Sequence, residues 1–254
     1  MSISLQEYEK LFPIATLTIG GRKLIYATPN SFCMWRAESL MTKEPSTIEW
    51  LDSFPAGSAM LDIGANVGMY SVYAAVMRDA RVFAFEPEAQ NYATLCRNIV
   101  YNKLSERVVA WSAALSDTEG FDRLHLSKLE AGSSCHFFGE SLDPFLQEKQ
   151  SPFVQGSYAT TVDRLVAQGT IPVPAFIKID VDGIEHKIIK GAEKTLQDPG
   201  VTSLLIEINP HLAEHRWIID HLATLGFGYD PEQVARVARK EGYFEGVGEY
   251  VFRR

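Results

Sequence analysis

The sequence predicts an α/β protein with a doubly wound, mainly parallel β-sheet. Apolar stretches of strand length alternate with helix-like stretches from residue 58 onward, and this alternation is typical of parallel strands joined by helices. The first of these strands is followed by a turn with two glycines, which is typical of nucleotide sites in this fold class. The next strand ends in an acidic residue, Glu86, which lies 24 residues after Asp62.

Residues 1–56 precede this alternation and are predicted to form an N-terminal extension. Two strand-like stretches on either side of Gly20 and Gly21 predict a β-hairpin. Apolar residues around Pro45 predict a helix that begins near this proline, because proline is favoured in the first helical turn. We expect the extension to pack across a ligand pocket or to serve as the surface of a homodimer.

Residues 57–254 are predicted to form the main domain. Its predicted strands are 59–62, 81–86, 108–115, 175–181, 201–208 and 249–252. Its predicted helices are 70–78, 88–102, 161–166, 183–196 and 212–225. Residues 116–158 are less regular and are predicted to form an insert with a hairpin at 124–126 and 134–138. A long irregular insert in a compact domain is often functional.

The turn after the first strand of the main domain has the properties of a ligand-binding loop. Gly64 and Gly68 have no Cβ, so a ligand can approach the backbone, and the helix that follows presents unpaired N–H groups. The turn differs from the dinucleotide fingerprint G-x-G-x-x-G, because Asn66 replaces the middle glycine and Gly68 comes one residue early. This difference argues against a pyrophosphate, and Asp62 suits an ammonium group. Both features favour S-adenosylmethionine, which has an amino-acid end and a ribose but no phosphate; a turn that binds nothing is the alternative.

Further polar residues are expected beside this turn, because ligands of open α/β sheets bind outside the carboxyl ends of the strands. Glu86 is placed to accept hydrogen bonds from both ribose hydroxyls. Ser112 and Ala113, at the end of the third strand, are predicted to line an adenine pocket. The complete predicted cofactor site is Asp62, Gly64, Asn66, Gly68, Ser71, Glu86, Ser112, Ala113 and Asp180.

The same edge of the sheet collects acidic residues that could act in catalysis. Asp180, Asp182 and Glu207 lie at the ends of predicted strands, where they would hold a cationic ligand, bind a divalent metal or act as general bases. Asp180 and Asp182 could instead cap the next helix, whereas an unpaired Glu207 in an apolar strand would be costly. Among the histidines we favour His136, because it belongs to the insert and loops on a rigid scaffold often carry function. The predicted catalytic residues are therefore Asp180, His136 and Glu207.

Composition restricts the partners and the location. The formal net charge of −8 argues against a nucleic-acid or anionic-membrane binder, because these need a basic surface. The three cysteines have no C-x-x-C spacing and indicate neither a disulfide framework nor a zinc site. The N-terminus, MSISLQEYEK, lacks the pattern of a signal peptide, and no apolar stretch reaches about 18 residues. We therefore expect a soluble, cytoplasmic protein that has no nucleic-acid partner and does not insert into membranes.

Five stretches of the chain together resemble one enzyme family. In order, these stretches are LDIGANVGMYS, VFAFEPEAQNYATLCRNI, ATTVDRL, FIKIDVDGIEHKIIKGAEKTL and LLIEIN. Over residues 58–209 the chain closely resembles the FkbM-type S-adenosylmethionine-dependent methyltransferases. The resemblance implies a class I methyltransferase fold, which is Rossmann-like and has a seven-stranded sheet with its last strand antiparallel. It also implies transfer of the sulfonium methyl group to an oxygen, often a hydroxyl of a sugar or a secondary metabolite.

The resemblance also assigns roles to individual residues. The glycine turn resembles the cofactor loop of the family, and Glu86 resembles its ribose carboxylate. Asp180 and Glu185 match the family pattern K-I-D-V-E-G-x-E, in which Asp182 here replaces the usual glutamate. Methyl transfer to a small-molecule or glycan acceptor needs alignment of a hydroxyl and removal of its proton. We expect Asp180 or His136 to take that proton.

The sequence leaves several alternatives open. In catechol-type methyltransferases, acids after the fourth and fifth strands hold Mg²⁺ beneath the acceptor, and Asp180, Glu207 and Asn209 occupy comparable places. An aminopropyl transferase would use the same fold with a decarboxylated cofactor. A nicotinamide-dependent oxidoreductase is disfavoured by the glycine spacing. A non-catalytic cofactor-binding or scaffold domain would bind the cofactor without methyl transfer, and the acidic edge argues against it.

Overall fold

The structure of the chain is a computed structural model that describes residues 3–8 and 10–254. The strands formed by these residues are β1 (Ile14–Ile19), β2 (Arg22–Ala27), β3 (Ala59–Ile63), β4 (Arg81–Phe85), β5 (Val108–Trp111), β6 (Ala114–Leu115), β7 (Gly120–Leu126), β8 (Phe137–Phe138), β9 (Phe153–Thr160), β10 (Phe176–Ile179), β11 (Ser203–Ile208), β12 (Gly228–Tyr229) and β13 (Gly248–Arg253). The helices are α1 (Leu5–Tyr8), α2 (Ser31–Glu38), α3 (Pro45–Asp52), α4 (Met69–Met77), α5 (Ala89–Tyr101), α6 (Val162–Ala167), α7 (Glu185–Lys190), α8 (Glu193–Gln197), α9 (Ala213–Thr224) and α10 (Pro231–Val237).

Seven strands form the central sheet, in the spatial order β5, β4, β3, β10, β11, β13, β12. Neighbouring strands from β5 to β11 are parallel, whereas β13 is antiparallel to both β11 and β12. This arrangement confirms the α/β fold with a doubly wound, mainly parallel, seven-stranded sheet. The chain begins the sheet at β3, winds outward to β5 and then crosses back to β10. The carboxyl ends of β3 and β10 therefore form the switch point at which ligands of such sheets bind.

The central strands are apolar because helices cover both faces of the sheet. On one face, Trp50 of α3, Val72 of α4 and Leu95 of α5 lie in one buried core. On the other face, Ile188 of α7 and Ile218 of α9 lie in a second core. Each fully buried side chain of this kind stabilises the fold by roughly 2 kcal/mol. The two cores hold the strands in register, so the loops at the carboxyl edge extend from a rigid support.

The N-terminal segment contains the predicted hairpin and the predicted helix. β1 and β2 pair antiparallel, and α3 begins at Pro45. Helix α2 was not predicted; the side chain of Asn30 caps it by accepting a hydrogen bond from the N–H of Cys33 at 2.9 Å. Asn102, the C-cap residue of α5, accepts from the N–H of Ile25 at 2.9 Å and donates to its carbonyl at 2.6 Å. The hairpin is thereby fixed to a helix of the central sheet.

The segment predicted to be irregular forms most of a second sheet, whose four strands lie in the order β6, β9, β7, β8. The predicted hairpin is present, because β7 pairs antiparallel with β8. The eight-residue strand β9 was not predicted and pairs with all of β7. The prediction of one strand over 108–115 is wrong at its end, since the chain leaves the central sheet after Trp111 and β6 pairs with β9. The reason is that β9 offers these residues a partner, which their own sequence does not reveal.

The helices also differ from the prediction. The single helix predicted over 183–196 is two helices, α7 and α8, on either side of Gly191. A Cβ at Gly191 would lie 2.0 Å from the carbonyl oxygen of Ser116, so the chain passes directly against the start of the second sheet there. Helix α10 was not predicted. Within residues 3–8 and 10–254, every helix is too short or too polar to cross a membrane.

Candidate functional site

One large cavity opens at the carboxyl edge of the central sheet, at the switch point of β3 and β10. The turn after β3, the end of β4, the loops after β10 and β11, and helix α2 surround it. The sequence-predicted residues that line it are Gly64, Asn66, Glu86, His136, Asp180, Asp182 and Glu207. A smaller cavity adjoins it, shares Gly64, Asn66 and Asp180 with it, and is also lined by Asp62. The structure therefore brings the acidic edge and the glycine turn together in one site.

Gly64, the first residue after β3, holds the turn against the neighbouring strand. Its φ is +77°, and a Cβ at this position would lie 2.0 Å from the carbonyl oxygen of Asp180. The N–H of Asp180 donates to the carbonyl of Ile63 at 3.1 Å, so the two chain segments touch at the switch point. Close packing between β3 and β10 therefore requires glycine here, in addition to any need for ligand access.

We expect Gly64→Ala to lower the free energy of unfolding by about 3 kcal/mol, because it combines an unfavourable φ with a clash against backbone. Gly57 is a matched control, since its φ is +79° and nothing lies within 4 Å of a Cβ built on it. Gly57→Ala should lower the free energy of unfolding by only about 1 kcal/mol, because the unfavourable φ is then the only contribution. Urea unfolding of both variants measures the difference. Equal losses would show that the contact with Asp180 does not restrict this position.

Asn66 fixes the rest of the turn. Its φ of +51° lies in a region that asparagine tolerates better than most residues. Its side-chain amide donates to the carbonyl of Ser133 at 2.7 Å, and its side-chain oxygen accepts from the N–H of Val67 at 2.9 Å. Gly68, with φ +79°, ends the turn as the N-cap residue of α4. The turn is thus tied to the insert through Ser133, a contact that the sequence pattern does not reveal.

Glu86, the first residue after β4, accepts two backbone hydrogen bonds. Its Oε2 accepts from the N–H of Asn66 at 2.8 Å, and its Oε1 accepts from the N–H of Glu88 at 2.9 Å. The residue is only 5% exposed, and burial raises the pKa of its carboxyl to about 7. The Glu86 carboxylate thus joins the glycine turn to the start of α5 and lines the cavity between them.

Asp62, within β3, has one oxygen with a partner and one without. The hydroxyl of Ser71 donates to Oδ2 at 2.6 Å, which places the fully buried Ser71 behind Asp62. Oδ1 is buried and has no hydrogen-bond partner among the described residues. Burial raises the pKa of Asp62, while Lys178, its partner in register on β10, acts in the opposite direction. A cationic hydrogen-bond donor in the adjoining cavity would satisfy Oδ1.

Asp180, which is partly exposed to the cavity, forms an ion pair with Lys178, in which Oδ2 of Asp180 lies 2.7 Å from Nζ of Lys178. Lys178 is 1% exposed. Burial acts to raise the pKa of Asp180, but Lys178 and the neighbouring cations lower it more, to about 2. Asp180 is therefore ionised at neutral pH, where it accepts hydrogen bonds but has little affinity for a proton.

Asp182 connects the loop after β10 to the insert. Its Oδ2 accepts from the N–H of Cys135 at 2.6 Å, and its Oδ1 lies 3.6 Å from the Cys135 thiol. Its φ is +64°, and burial raises the pKa of its carboxyl to about 6. The structure thus gives Asp182 a role in holding the cavity wall rather than in capping a helix.

Glu207, near the end of β11, pairs with Arg239 from the segment between α10 and β13. Nη2 of Arg239 lies 2.8 Å from Oε1 of Glu207. Burial raises the pKa of Glu207 well above its ordinary value and Asp180 raises it further, although Arg239 acts in the opposite direction. A carboxylate with a raised pKa that lines a cavity is suited to accept a proton near neutral pH.

His136 lies just before β8, and both nitrogens of its ring have partners inside the insert. Nδ1 accepts from the N–H of Ser127 at 3.2 Å, and Nε2 lies 3.1 Å from the hydroxyl oxygen of Ser133. Because Nδ1 accepts, the proton of the neutral ring is on Nε2. Burial lowers the pKa of His136 to about 4. The ring therefore orders the wall of the cavity and is poorly placed to take a proton.

Ser112 and Ala113, between β5 and β6, have different surroundings. Ala113 lines a small apolar pocket with Phe85, Phe138 and Ile184, whereas Ser112 is exposed. This pocket shares Gly64, Pro87, His136 and Val181 with the large cavity. Its apolar walls suit a flat ring system next to the carboxylate at the end of β4.

The three residues considered as metal ligands do not form a metal site. Asp180 and Glu207 are each paired with a cationic side chain, and Oδ1 of Asn209 accepts from the N–H of His211 at 3.0 Å. In the part of the chain that the structure describes, no three His, Cys, Asp or Glu side chains group closely enough to hold an ion. This donor set therefore does not fit Mg²⁺.

Sequence reasoning missed several side chains of the cavity. Arg36 of α2, Lys43 of the loop after it, and Arg239 bring positive charge to the site, and Trp35 and Phe244 bring aromatic surface. Arg36 and Lys43 also line the smaller cavity. None of these residues lies in a recognisable motif. For the three residues of the N-terminal extension, the only signal was the expectation that this extension packs across a ligand pocket or forms the surface of a homodimer, which indicates a segment but no residue.

A comparison with known protein families identifies the chain. A family model described as the methyltransferase FkbM domain matches residues 62–243. The chain belongs to this family. The match confirms the family predicted from the sequence and begins at Asp62, so it includes the carboxyl edge of the sheet but not the N-terminal segment.

This FkbM-family chain is similar to two curated relatives. One is the hexuronic acid methyltransferase AglP of Haloferax volcanii, 25% identical over 176 residues, which are 69% of this chain and 66% of the relative. The other is the 31-O-demethyl-FK506 methyltransferase FkbM of Streptomyces tacrolimicus, 28% identical over 160 residues, with 54% of this chain and 60% of the relative covered. The chain thus spans slightly less than two thirds of the length of each relative.

A solved structure supports the same fold. The crystal structure of methyltransferase FkbM from Methylobacillus flagellatus KT superposes with a TM-score of 0.52, covering 89% of this chain and 55% of that chain at 14% identity. At this identity the likeness shows the fold alone. It confirms the predicted Rossmann-like, class I methyltransferase fold.

Proposed function

We propose that this FkbM-family chain is an S-adenosylmethionine-dependent methyltransferase that methylates a hydroxyl of a sugar, a glycan or a secondary metabolite. The observation that carries the proposal is the composition of the site at the switch point, where Glu86, the unpartnered oxygen of Asp62 and the Glu207 carboxylate lie around connected cavities. The names of the two relatives, a hexuronic acid methyltransferase and a 31-O-demethyl-FK506 methyltransferase, support this class of acceptor.

The residues at the site fit S-adenosylmethionine. Glu86 would accept hydrogen bonds from the ribose hydroxyls, and the apolar pocket at Ala113 would hold the adenine ring. Oδ1 of Asp62, which is buried without a partner, would accept a hydrogen bond from the ammonium group. When bound, the cofactor supplies a methyl group on a sulfonium, which is activated for in-line displacement.

The amino-acid end of the cofactor also carries a carboxylate, and Arg36 is placed to bind it. Its side chain lines the smaller cavity together with Asp62. Nε of Arg36 donates to the carbonyl of Gly132 at 2.7 Å, which anchors the guanidinium at the cavity. The carboxylate of Asp62 and the guanidinium of Arg36 in one small cavity match the two opposite charges of an amino acid.

We assign removal of the acceptor proton to Glu207. Burial raises its pKa, so it binds a proton more readily than an ordinary glutamate does. Asp180 stays ionised and would align the acceptor hydroxyl by accepting a hydrogen bond from it, and His136 would order the insert beside the acceptor. Alignment and proton removal supply most of the catalysis for this displacement. The sequence led us to expect Asp180 or His136 as the base, and we propose Glu207 in their place.

The acceptor is the partner that the charge of the protein restricts most. A net charge of −8 favours a small-molecule or glycan acceptor over a nucleic acid. A homodimer and a cytoplasmic location stay predictions from the sequence.

Titration calorimetry with two ligands tests the cofactor assignment. Wild type should bind S-adenosylhomocysteine, and Arg36→Gln should bind it about 10-fold to 100-fold more weakly, because a charged hydrogen bond to the carboxylate is lost. Affinity for 5′-methylthioadenosine, which has no amino-acid end, should be the same in both proteins. Arg97→Gln, at an exposed position of α5, is the control and should bind both ligands as wild type does.

Two results would contradict the assignment. Equal losses for both ligands would mean that Arg36 supports the fold of the site and does not bind the carboxylate. Failure of wild type to bind S-adenosylhomocysteine would remove the proposed function.

A further inference from the structure

The large cavity continues beyond its central carboxylates. Near Glu207 it meets another cavity, here called the outer groove, which lies between α2, α3, α10 and β13. Trp35, Lys43 and Arg239 line both the large cavity and the outer groove, so the two are continuous at these side chains. The cofactor is assigned to the opposite end, where Glu86 lies, which leaves the outer groove to the acceptor.

The outer groove offers hydrogen-bond donors and acceptors together. Its charged side chains are three cations and three carboxylates: Lys43, Arg236, Arg239, Glu44, Glu49 and Glu249. Each of these cations is paired with a carboxylate oxygen at 3.7 Å or less. An anionic ligand would compete with those carboxylates, whereas a hydroxyl both donates and accepts and can join each pair. The groove therefore suits a neutral molecule that is rich in hydroxyl groups.

Trp35 stands where the large cavity and the outer groove meet. Its side chain is 49% exposed, although it is the largest apolar group at this junction. Phe244, on the side of the large cavity, lies under Arg239, with the guanidinium carbon 5.0 Å from the centre of its ring. A sugar ring has an apolar face that packs on an aromatic ring, while its hydroxyls reach the polar groups at the sides. Aromatic surface beside paired charges is thus the chemistry that a sugar ring needs.

We propose that the outer groove binds a second sugar unit, so that the acceptor is an oligosaccharide of two or more units. The reactive hydroxyl then lies at Glu207, and the neighbouring ring packs against Trp35. This inference rests on the proposed hydroxyl methylation and adds to it the length of the acceptor.

Methyl transfer to carbohydrate separated by size tests this inference. Carbohydrate from the cells that produce the protein is divided into monosaccharide and oligosaccharide fractions, and each is incubated with tritium-methyl S-adenosylmethionine and enzyme. Wild type should label the oligosaccharides at least about 10-fold more efficiently than the monosaccharides, because the second ring adds contacts worth more than about 1.4 kcal/mol. Trp35→Ala should raise KM for the oligosaccharides about 10-fold and leave kcat and S-adenosylhomocysteine affinity unchanged. Trp217→Ala, at a 36% exposed tryptophan of α9, is the control and should label as wild type does.

The outcomes separate this inference from the proposed function. Equal labelling of monosaccharides, or a Trp35→Ala enzyme with unchanged KM, overturns the second subsite while methylation of a sugar hydroxyl stands. If the protein binds S-adenosylhomocysteine but labels neither fraction, a sugar acceptor is wrong and the inference fails with it.

Discussion

Glu86→Ala is expected to weaken binding of S-adenosylhomocysteine about 100-fold or more. The substitution removes the acceptor of both ribose hydroxyls, and each charged hydrogen bond is worth roughly 1.5–3 kcal/mol. It also frees the N–H groups of Asn66 and Glu88, which Glu86 holds at 2.8 and 2.9 Å, so the glycine turn loses part of its support. Titration calorimetry at neutral pH measures the loss.

The control for this prediction is Glu106→Ala, which removes an exposed glutamate that does not line the cofactor cavities. It should bind S-adenosylhomocysteine as tightly as wild type. Urea unfolding of Glu86→Ala shows whether the variant is folded under the conditions of the titration. A folded Glu86→Ala protein with wild-type affinity would mean that the ribose lies elsewhere.

Glu207→Gln is expected to lower kcat about 100-fold to 10,000-fold, which is the usual contribution of a general base. Affinity for S-adenosylhomocysteine should change little, because Glu207 lies at the acceptor side of the cavity. Glutamine keeps the size of the side chain and an oxygen that can accept from Arg239. Glu214→Gln, at an exposed position of α9, is the matched control and should keep full activity.

The pH dependence of kcat tests the same assignment. A base must be ionised, and burial raises the pKa of Glu207 well above its ordinary value. Turnover by wild type should therefore fall as the pH drops through this raised pKa, at a higher pH than an ordinary glutamate would give. Asp180 has a pKa of about 2 and would leave kcat constant from mildly acidic to neutral pH. A flat profile, with turnover lost in Asp180→Asn and kept in Glu207→Gln, would make Asp180 the base.

The central sheet could be predicted because its inner strands are covered on both faces. The sequences AMLDI of β3 and SLLIEI of β11 are therefore almost continuously apolar. The sequence FVQGSYAT of β9 gives no such signal, since only two of its eight residues are buried. Its structure depends on pairing with β7, which is a tertiary contact. The predicted strand over 108–115 ends wrongly for the same reason, because its last residues form β6, which pairs with β9.

The residues of the proposed cofactor half of the site could be located from topology, whereas those of the proposed acceptor half could not. Glu86 follows a parallel strand, so the fold alone places it at the carboxyl edge. Arg36 lies on a helix without a motif, and Arg239 meets Glu207 from 32 residues further along the chain. The sequence predicted His136 as a catalytic residue, and in the structure it lines the cavity. Its suitability as a base depended on whether Ser127 and Ser133 occupy its ring nitrogens, which only the three-dimensional structure shows.

The most direct test of the account is to locate a transferred methyl group. The protein is incubated with ¹³C-methyl S-adenosylmethionine and the carbohydrate and metabolite extract of the cells that produce it, and the products are analysed by ¹³C NMR before and after mild alkali. We expect an alkali-stable methyl ether, formed by wild type and greatly reduced with Glu207→Gln. Label on nitrogen, label lost in alkali as a carboxyl ester, or no label from a protein that binds S-adenosylhomocysteine would contradict methylation of a hydroxyl at this site.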